Sequence, residues 1–299
     1  MGPFLNRFSI RDLENFSGVK AHTIRIWEKR YGLLEPDRTD TNIRTYSADQ
    51  LKTILNVAFL NRHGVKISNI AALSRAERDQ RVIQVAEDKS DPYSALNSLK
   101  LAMLQYDAEL FERTSDNFRT QQGFRALVER LYVPLLEHVG LLWQSNSICP
   151  AQEHFASNMV RQKLVAAIDS SRPLTRADGR MHVLYLPENE IHEIGLLYLY
   201  YRLRTAGERT IYLGQSVPME DLAQVAQQFA GPITFITVLT VFPHADDLPE
   251  HLHKLRTSLP EDRIDFVLTG ARVLGASISA APPGIRLIPR FRDLLATMP

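Results

Sequence analysis

Apolar residues recur at helical spacing through the first part of the chain and then give way to short, nearly continuous runs, the change of period that separates amphipathic helices from buried strands. Ser9 precedes Ile10, Leu13 and Phe16 and predicts a short capped helix; Ser17-Gly18-Val19-Lys20 turns the chain. A second helix is expected over about 21–30, with Ile24, Trp27 and Tyr31 on its apolar side. The polar segment 37–46 suits a β-hairpin, Ser47 caps a helix running to about residue 61, and Ile67 begins another short one. The charged stretch 74–81 reads as the end of this region or a link to the next. Helical patterns follow near 92–105, 107–119, 121–145 and 151–170 with short connections, and Leu127, Leu131, Leu135 and Val139 form a buried stripe, as in an antiparallel bundle.

Beyond the turn Asp178-Gly179-Arg180 the pattern alternates. Strands are expected near 181–186, 209–213, 232–239, 264–268 and 285–288, and helices near 194–206, 219–230, 247–258 and 290–297. Alternation with buried, β-branched strands implies a parallel sheet covered on both faces, and five strands suit a flavodoxin-like order. The expected fold class is therefore multidomain α and α/β: a winged helix-turn-helix head (1–75), a four-helix bundle (76–176) and a flavodoxin-like Rossmann domain (177–299).

Charge sharpens this division. Positions 1–75 hold 12 Lys or Arg against 7 Asp or Glu, a net +5, whereas the remainder holds 23 against 27, a net −4. A basic head on an acidic body suggests that the head meets a polyanion. The other shares, 23% charged and 44% hydrophobic, are those of an ordinary soluble globular protein. No run approaches the roughly 18 apolar residues of a membrane span and the N-terminus lacks a signal peptide's apolar core, so a cytoplasmic location is expected. Cys149 is the single cysteine, which excludes an internal disulfide framework and a cysteine-rich zinc site.

In the head, the second helix sets His22, Arg25 and Lys29 opposite its apolar side, with Thr23 and Arg30 beside them, and the hairpin carries Arg38, Arg44 and Tyr46. A basic helix suits a major groove, and a wing suits phosphates. The run Thr23-Ile24-Arg25-Ile26-Trp27-Glu28-Lys29-Arg30-Tyr31-Gly32-Leu33-Leu34, then Arg44-Thr45-Tyr46, then Ser47 to Leu51, resembles the DNA-binding domain of MerR-type regulators. That resemblance implies dimers on a near-palindromic promoter, one winged head per half-site. Trp27 and Tyr31 read as core.

Two further stretches carry candidate chemistry. Trp143 ends the third bundle helix, and Glu153-His154 opens the fourth after nine intervening residues. Taken singly, Trp143 reads as core and His154 as a surface residue. Glu190-Ile191-His192-Glu193-Ile194-Gly195 follows the first strand of the sheet, where α/β sheets bind ligands. There Glu190 could orient the His192 imidazole as a metal ligand, and Gly195 could let the backbone approach a flat group. Gly214 and Ser216 fall in a turn after the second strand, Thr237-Val238-Leu239 ends the third, and Thr269-Gly270 ends the fourth; for Gly214 and Gly270, plain turn chemistry is an equal alternative to ligand contact.

The Glu-x-His-x-x-Gly loop resembles the signature of the cobalamin-binding Rossmann-like domain, and Trp-x9-Glu-His resembles that of light-responsive, cobalamin-binding MerR-type repressors. The chain departs from the pattern where Thr237 stands for the common Ser of Ser-x-Leu and Thr269 for the first Gly of Gly-Gly, adding methyl bulk where the cofactor's nucleotide tail would thread. The resemblance implies a non-enzymatic repressor holding cobalamin between bundle and Rossmann-like domain. In it, His192 ligates cobalt from below with Glu190 behind it, Trp143 and Glu153 border the upper adenosyl group, and His154 takes the upper position once light has acted. It also implies homo-oligomers, with adenosylcobalamin favouring an operator-bound tetramer in the dark. Two alternatives stand beside this: a MerR-type regulator that has lost cobalamin or light control, and a corrinoid methyl-carrier protein, for which a winged head has no use.

Overall fold

In the computed structural model of the 299-residue chain, residues 7–39, 41–87, 92–171, 179–274, 276 and 281–298 are described. The chain forms two compact units, Met1–Met159 and Val160–Pro299. The division falls inside a helix, the expected boundary at 75/76 falls at the start of another, and Asp178, with the expected boundary at 176/177, lies outside the described residues.

In the first unit Ser9 and Asp12 form a capping box that starts α1 (Ile10–Ser17), and Gly18 at φ 72° ends it in the left-handed conformation that glycine takes without strain. The turn leads to α2 (Ala21–Tyr31), which buries Ile24 and Trp27. A two-stranded antiparallel wing, β1 (Asp37–Arg38) and β2 (Arg44–Thr45), precedes α3 (Ala48–Arg62), which opens on a second capping box between Ser47 and Gln50. After α4 (Ile67–Ala72), the charged stretch expected to be a link is helical, α5 (Arg75–Glu87). Its charges tie it to α3: Asp79 accepts hydrogen bonds from Lys52 Nζ at 2.9 Å and Asn56 Nδ2 at 2.6 Å, and Arg75 pairs with Asp49 at 2.6 Å. The charged run 74–81 by itself carries no apolar stripe to announce a helix.

The bundle runs through α6 (Pro92–Gln105), α7 (Ala108–Leu127), α8 (Val133–Gln144) and α9 (Pro150–Ser170). The expected break near residue 120 is displaced. Gly123 leaves the helical region (φ 83°, ψ 165°) within α7, and a π turn, Val128–Tyr132, joins α7 to α8. Leu127, Leu131, Leu135 and Val139 are buried as their spacing predicts.

Lys100 of α6 is buried among these helices and donates to the Phe16 carbonyl at 3.3 Å. Burial, then the like charge of Arg62, pushes its ammonium down to about 8 from 10.5. Below about pH 8 the folded state must keep this amine protonated at a cost, which fades as pH rises from 8 towards 10.5. Lys100→Met is therefore expected to raise stability at pH 7 by roughly 1–2 kcal/mol, the desolvation relieved less the hydrogen bond lost. Melting both proteins at pH 7 and pH 9.5 checks this; a variant that melts below the parent at pH 7 overturns it.

The second unit is a five-stranded, wholly parallel sheet of β3 (Met181–Pro187), β4 (Arg209–Val217), β5 (Ile233–Val238), β6 (Ile264–Thr269) and β7 (Ile285–Ile288), in the order β4-β3-β5-β6-β7. Helices α10 (Ile194–Thr205), α11 (Met219–Gln227), α12 (Leu248–Ser258) and α13 (Phe291–Thr297) connect or follow the strands. This is the flavodoxin-like order expected. Its strand sequence reverses between β3 and β5, and the carboxyl ends of those two strands flank the crevice in which such sheets bind ligands. β4 outlasts its expected end: Gly214 (φ 85°) pairs with Tyr185 at a bulge, and the ladder resumes to Val217.

Candidate functional site

On the head, α2 turns His22, Arg25, Lys29 and Arg30 to solvent, while Thr23 is half-buried with its hydroxyl 3.3 Å from His22 Nε2. In the wing Arg38 is exposed and donates to Asn42 Oδ1 at 2.6 Å. The other two wing residues expected to touch DNA are drawn inward by a carboxylate that periodicity did not single out. Glu28 accepts from Arg44 Nε at 3.0 Å and from the Tyr46 hydroxyl at 3.1 Å. Tyr46 is 0% exposed, so its expected DNA contact is corrected to a core position. Burial, then Glu28, pushes the phenol up to about 12. Arg44, half-buried on Glu28, braces the wing against α2 and leaves Arg38 as the outward wing arginine.

At one end of the bundle, the loop 145–149 separates Trp143, in the last turn of α8, from Glu153 and His154, in the first turn of α9. Trp143, which singly reads as core, is 54% exposed. Glu153 bridges its neighbours, accepting from His154 Nδ1 at 2.6 Å and from the Ser157 hydroxyl at 2.5 Å.

At the carboxyl end of the sheet, Glu190 is wholly buried and fully engaged. Its Oε1 accepts from the amides of Ile191 and His192 at 3.0 Å and from His192 Nδ1 at 2.6 Å. Its Oε2 accepts from the amides of Thr240, Val241 and Phe242 at 2.9, 2.7 and 3.0 Å. Burial works to raise this carboxyl, yet the His192 imidazole and the amides outweigh it and hold the group down at about 2. One carboxylate thus ties the loop after β3 to the loop after β5 and fixes the tautomer and plane of an imidazole whose side chain is 49% exposed.

Around it the expected residues divide. Gly195 carries no ligand-sized gap; a Cβ there would lie 3.3 Å from Val238 Cγ1 and 3.4 Å from Phe291 Cε2, so it lets α10 pack on β5 and α13. Gly214 is the bulge residue, and the Ser216 hydroxyl (φ 53°) accepts from the Asn189 amide at 3.3 Å. Leu239 is buried, and a Cβ on Gly270 would fall 2.5 Å from its carbonyl oxygen. Thr237 and Thr269 do not border one path. Thr237 pairs with Leu268 and shares the face of Phe235 and Tyr185, whereas Thr269 pairs with Val238 on the opposite face, and both are fully buried. Glu193, absent from the expectations, is buried and accepts from Arg161 Nε at 2.5 Å and the Tyr212 hydroxyl at 2.7 Å. Burial, then Glu193, drives that phenol far up.

These residues fit a metal-bearing macrocycle. Among the described residues no group of three or more His, Cys, Asp and Glu could hold a bare ion, but one oriented imidazole suits a metal whose other ligands come with the bound group. Four buried polar atoms near the strands' carboxyl ends, Tyr185 Oη, Thr237 Oγ1, Thr269 Oγ1 and His251 Nε2, have no partner among the described residues. Tyr185 and His251 line a cavity of about 100 Å³ with Phe242. A larger one, about 620 Å³ and lined by Arg180, His182, Thr234 and Asp265, lies at the strands' amino ends, opposite Glu190.

The family model described as MerR HTH family regulatory protein matches residues 8–77, and that described as B12 binding domain matches residues 95–167. The chain is 32% identical over 260 residues to the HTH-type transcriptional repressor CarH of Myxococcus xanthus, spanning 85% of each, and 27% identical over 215 residues to the HTH-type transcriptional repressor CarA of the same organism, spanning 71% of this chain and 70% of that one. Its fold is similar to that of the monomethylamine corrinoid protein of Methanosarcina barkeri, with a TM-score of 0.56 at 12% identity over 68% of this chain and 96% of that one. A winged basic head, a B12-binding helical region and a flavodoxin-like sheet with an oriented histidine at its switch point place the chain in one family: it belongs to the MerR-type HTH transcriptional repressors that carry a B12-binding domain.

Proposed function

We propose that this repressor senses adenosylcobalamin and uses it as a light-sensitive switch of assembly and operator binding. The observation that carries the reading is the grip of Glu190 on His192, a buried carboxylate spending six hydrogen bonds to present one imidazole at the sheet's switch point. His192 would ligate the cobalt. Trp143, Glu153 and His154 would border the adenosyl group, and His154 would offer the metal a second imidazole. When bound, adenosylcobalamin supplies a cobalt–carbon bond that visible light cuts. Regulation would require the bound adenosyl group to favour one assembly of the chain over another, because a ligand shifts an equilibrium only by its differential affinity for the two states. His22, Thr23, Arg25, Lys29, Arg30 and Arg38 are proposed to meet double-stranded promoter DNA, in a homo-oligomer that acts as a regulator and not as a catalyst. No described helix is long and apolar enough to cross a membrane.

The test is purification with adenosylcobalamin in darkness, followed by an absorption spectrum and gel filtration before and after green light. A red protein whose elution shifts on illumination is expected. His192→Ala should weaken cobalamin retention by at least about 10–100-fold, the range found when a ligand's supporting residues alone are lost, while the cofactor-free variant still binds operator. A colourless parent protein with unchanged elution overturns the reading and leaves a MerR-type repressor without cobalamin control.

A further inference from the structure

One apolar side chain stands where the DNA-facing surface has least reason to hold one. α2 buries Ile24 and Trp27, yet Ile26 is 53% exposed in the midst of the helix's basic residues. Positions 22, 25, 26, 29 and 30 share one side of a helix of 3.6-residue period, so His22, Arg25, Lys29 and Arg30 surround Ile26. Nothing in the helix itself calls for isoleucine there. Its β-branch lowers helix propensity, and among four cationic or polar neighbours it covers no apolar core. A recognition helix presents this side to base edges, and the one apolar group on a base edge in the major groove is the thymine C5-methyl.

We propose that Ile26 reads a thymine methyl in each operator half-site. The surrounding cations supply attraction to phosphates that is indifferent to sequence, and Ile26 adds discrimination at one base pair. His22, one turn before it, and Arg25, at its side, stay available for polar base edges or phosphates. The contact replaces two hydrated apolar surfaces by one dry one, worth about a fourfold change in affinity for one methyl. This rests on the DNA-binding assignment of the head and deepens it by naming a specificity residue.

The test uses the full chain and a duplex selected by it from a random pool. Each thymine of a half-site is replaced singly by deoxyuridine, which keeps every base-pairing atom and lacks only the methyl. Expected is one position per half-site where deoxyuridine weakens binding about fourfold, and where Ile26→Ala, which binds the unmodified duplex about fourfold or more weakly, no longer distinguishes the two bases. Ile26 is exposed, so the variant should fold as the parent does, with matching melting as the control. Uniform tolerance of deoxyuridine by the parent overturns the proposal, as does a sensitivity that persists in Ile26→Ala. A parent chain that selects no duplex at all overturns the DNA-binding assignment and this proposal together, a result distinct from both.

Discussion

Glu190→Ala should destabilise the sheet unit by about 3–5 kcal/mol, because it removes the acceptor of five backbone amides at once. Each buried donor left unpaired costs about 1–3 kcal/mol, and the sum is smaller because water can reach loops at a sheet end. Glu190→Gln should fare little better: its carboxamide keeps one oxygen and turns an NH2 towards amides that also donate. The acid limb follows from the same hydrogen bonds. The carboxyl sits at about 2 when folded against 4.5 unfolded, so its contribution is complete above pH 4.5 and is lost as pH falls towards 2. Converted at 1.36 kcal/mol per unit, that is about 3 kcal/mol. Hydrogen exchange at the amides of Thr240, Val241 and Phe242, with melting of the cofactor-free full chain at pH 7 and pH 3.5, reads both limbs. Parent and Glu190→Ala proteins with equal protection of those amides at pH 7 would show that the carboxylate does not hold the two loops together.

The Glu190–His192 pair was legible because its two members sit two residues apart, after an apolar run that reads as a buried strand. Local spacing also exposed the helix periods, the strand alternation and the basic side of α2. What escaped depends on partners distant along the chain. Glu28 meets Arg44 and Tyr46 across 16 and 18 residues, and those contacts turn an expected DNA-facing tyrosine into core. Glu193 draws Arg161 and Tyr212 from 32 and 19 residues away. The opposite facing of Thr237 and Thr269 follows from strand register, which no single strand's pattern contains. α5 escaped for a different reason: its first two turns meet α3 through ionic and polar contacts, and hydrophobic periodicity does not report those.

Gly270→Ala is expected to cost about 3–4 kcal/mol by a route that involves no lost hydrogen-bonding group: positive-φ strain and a collision with backbone. Gly270 sits at φ 112°, and its added Cβ would lie 2.5 Å from the Leu239 carbonyl oxygen. That oxygen cannot retreat freely, since it accepts from the Arg272 amide at 3.0 Å while Leu239 itself donates to the Thr269 carbonyl at 2.7 Å. Two other glycines separate the components. Gly214, at φ 85° with its nearest neighbour 3.6 Å away, would feel strain without collision, about 1–2 kcal/mol. Gly195 has an unstrained backbone and meets only side chains, Val238 and Phe291, which can yield; alanine there should cost under about 1 kcal/mol and could gain from lower unfolded-state entropy. Thermal unfolding of the three cofactor-free variants should rank Gly270→Ala, Gly214→Ala, Gly195→Ala from most to least damaging. Equal losses at Gly270 and Gly214 would mean that strain alone acts and that the Leu239 backbone gives way, so the carboxyl ends of β5 and β6 would be softer than their hydrogen bonds imply.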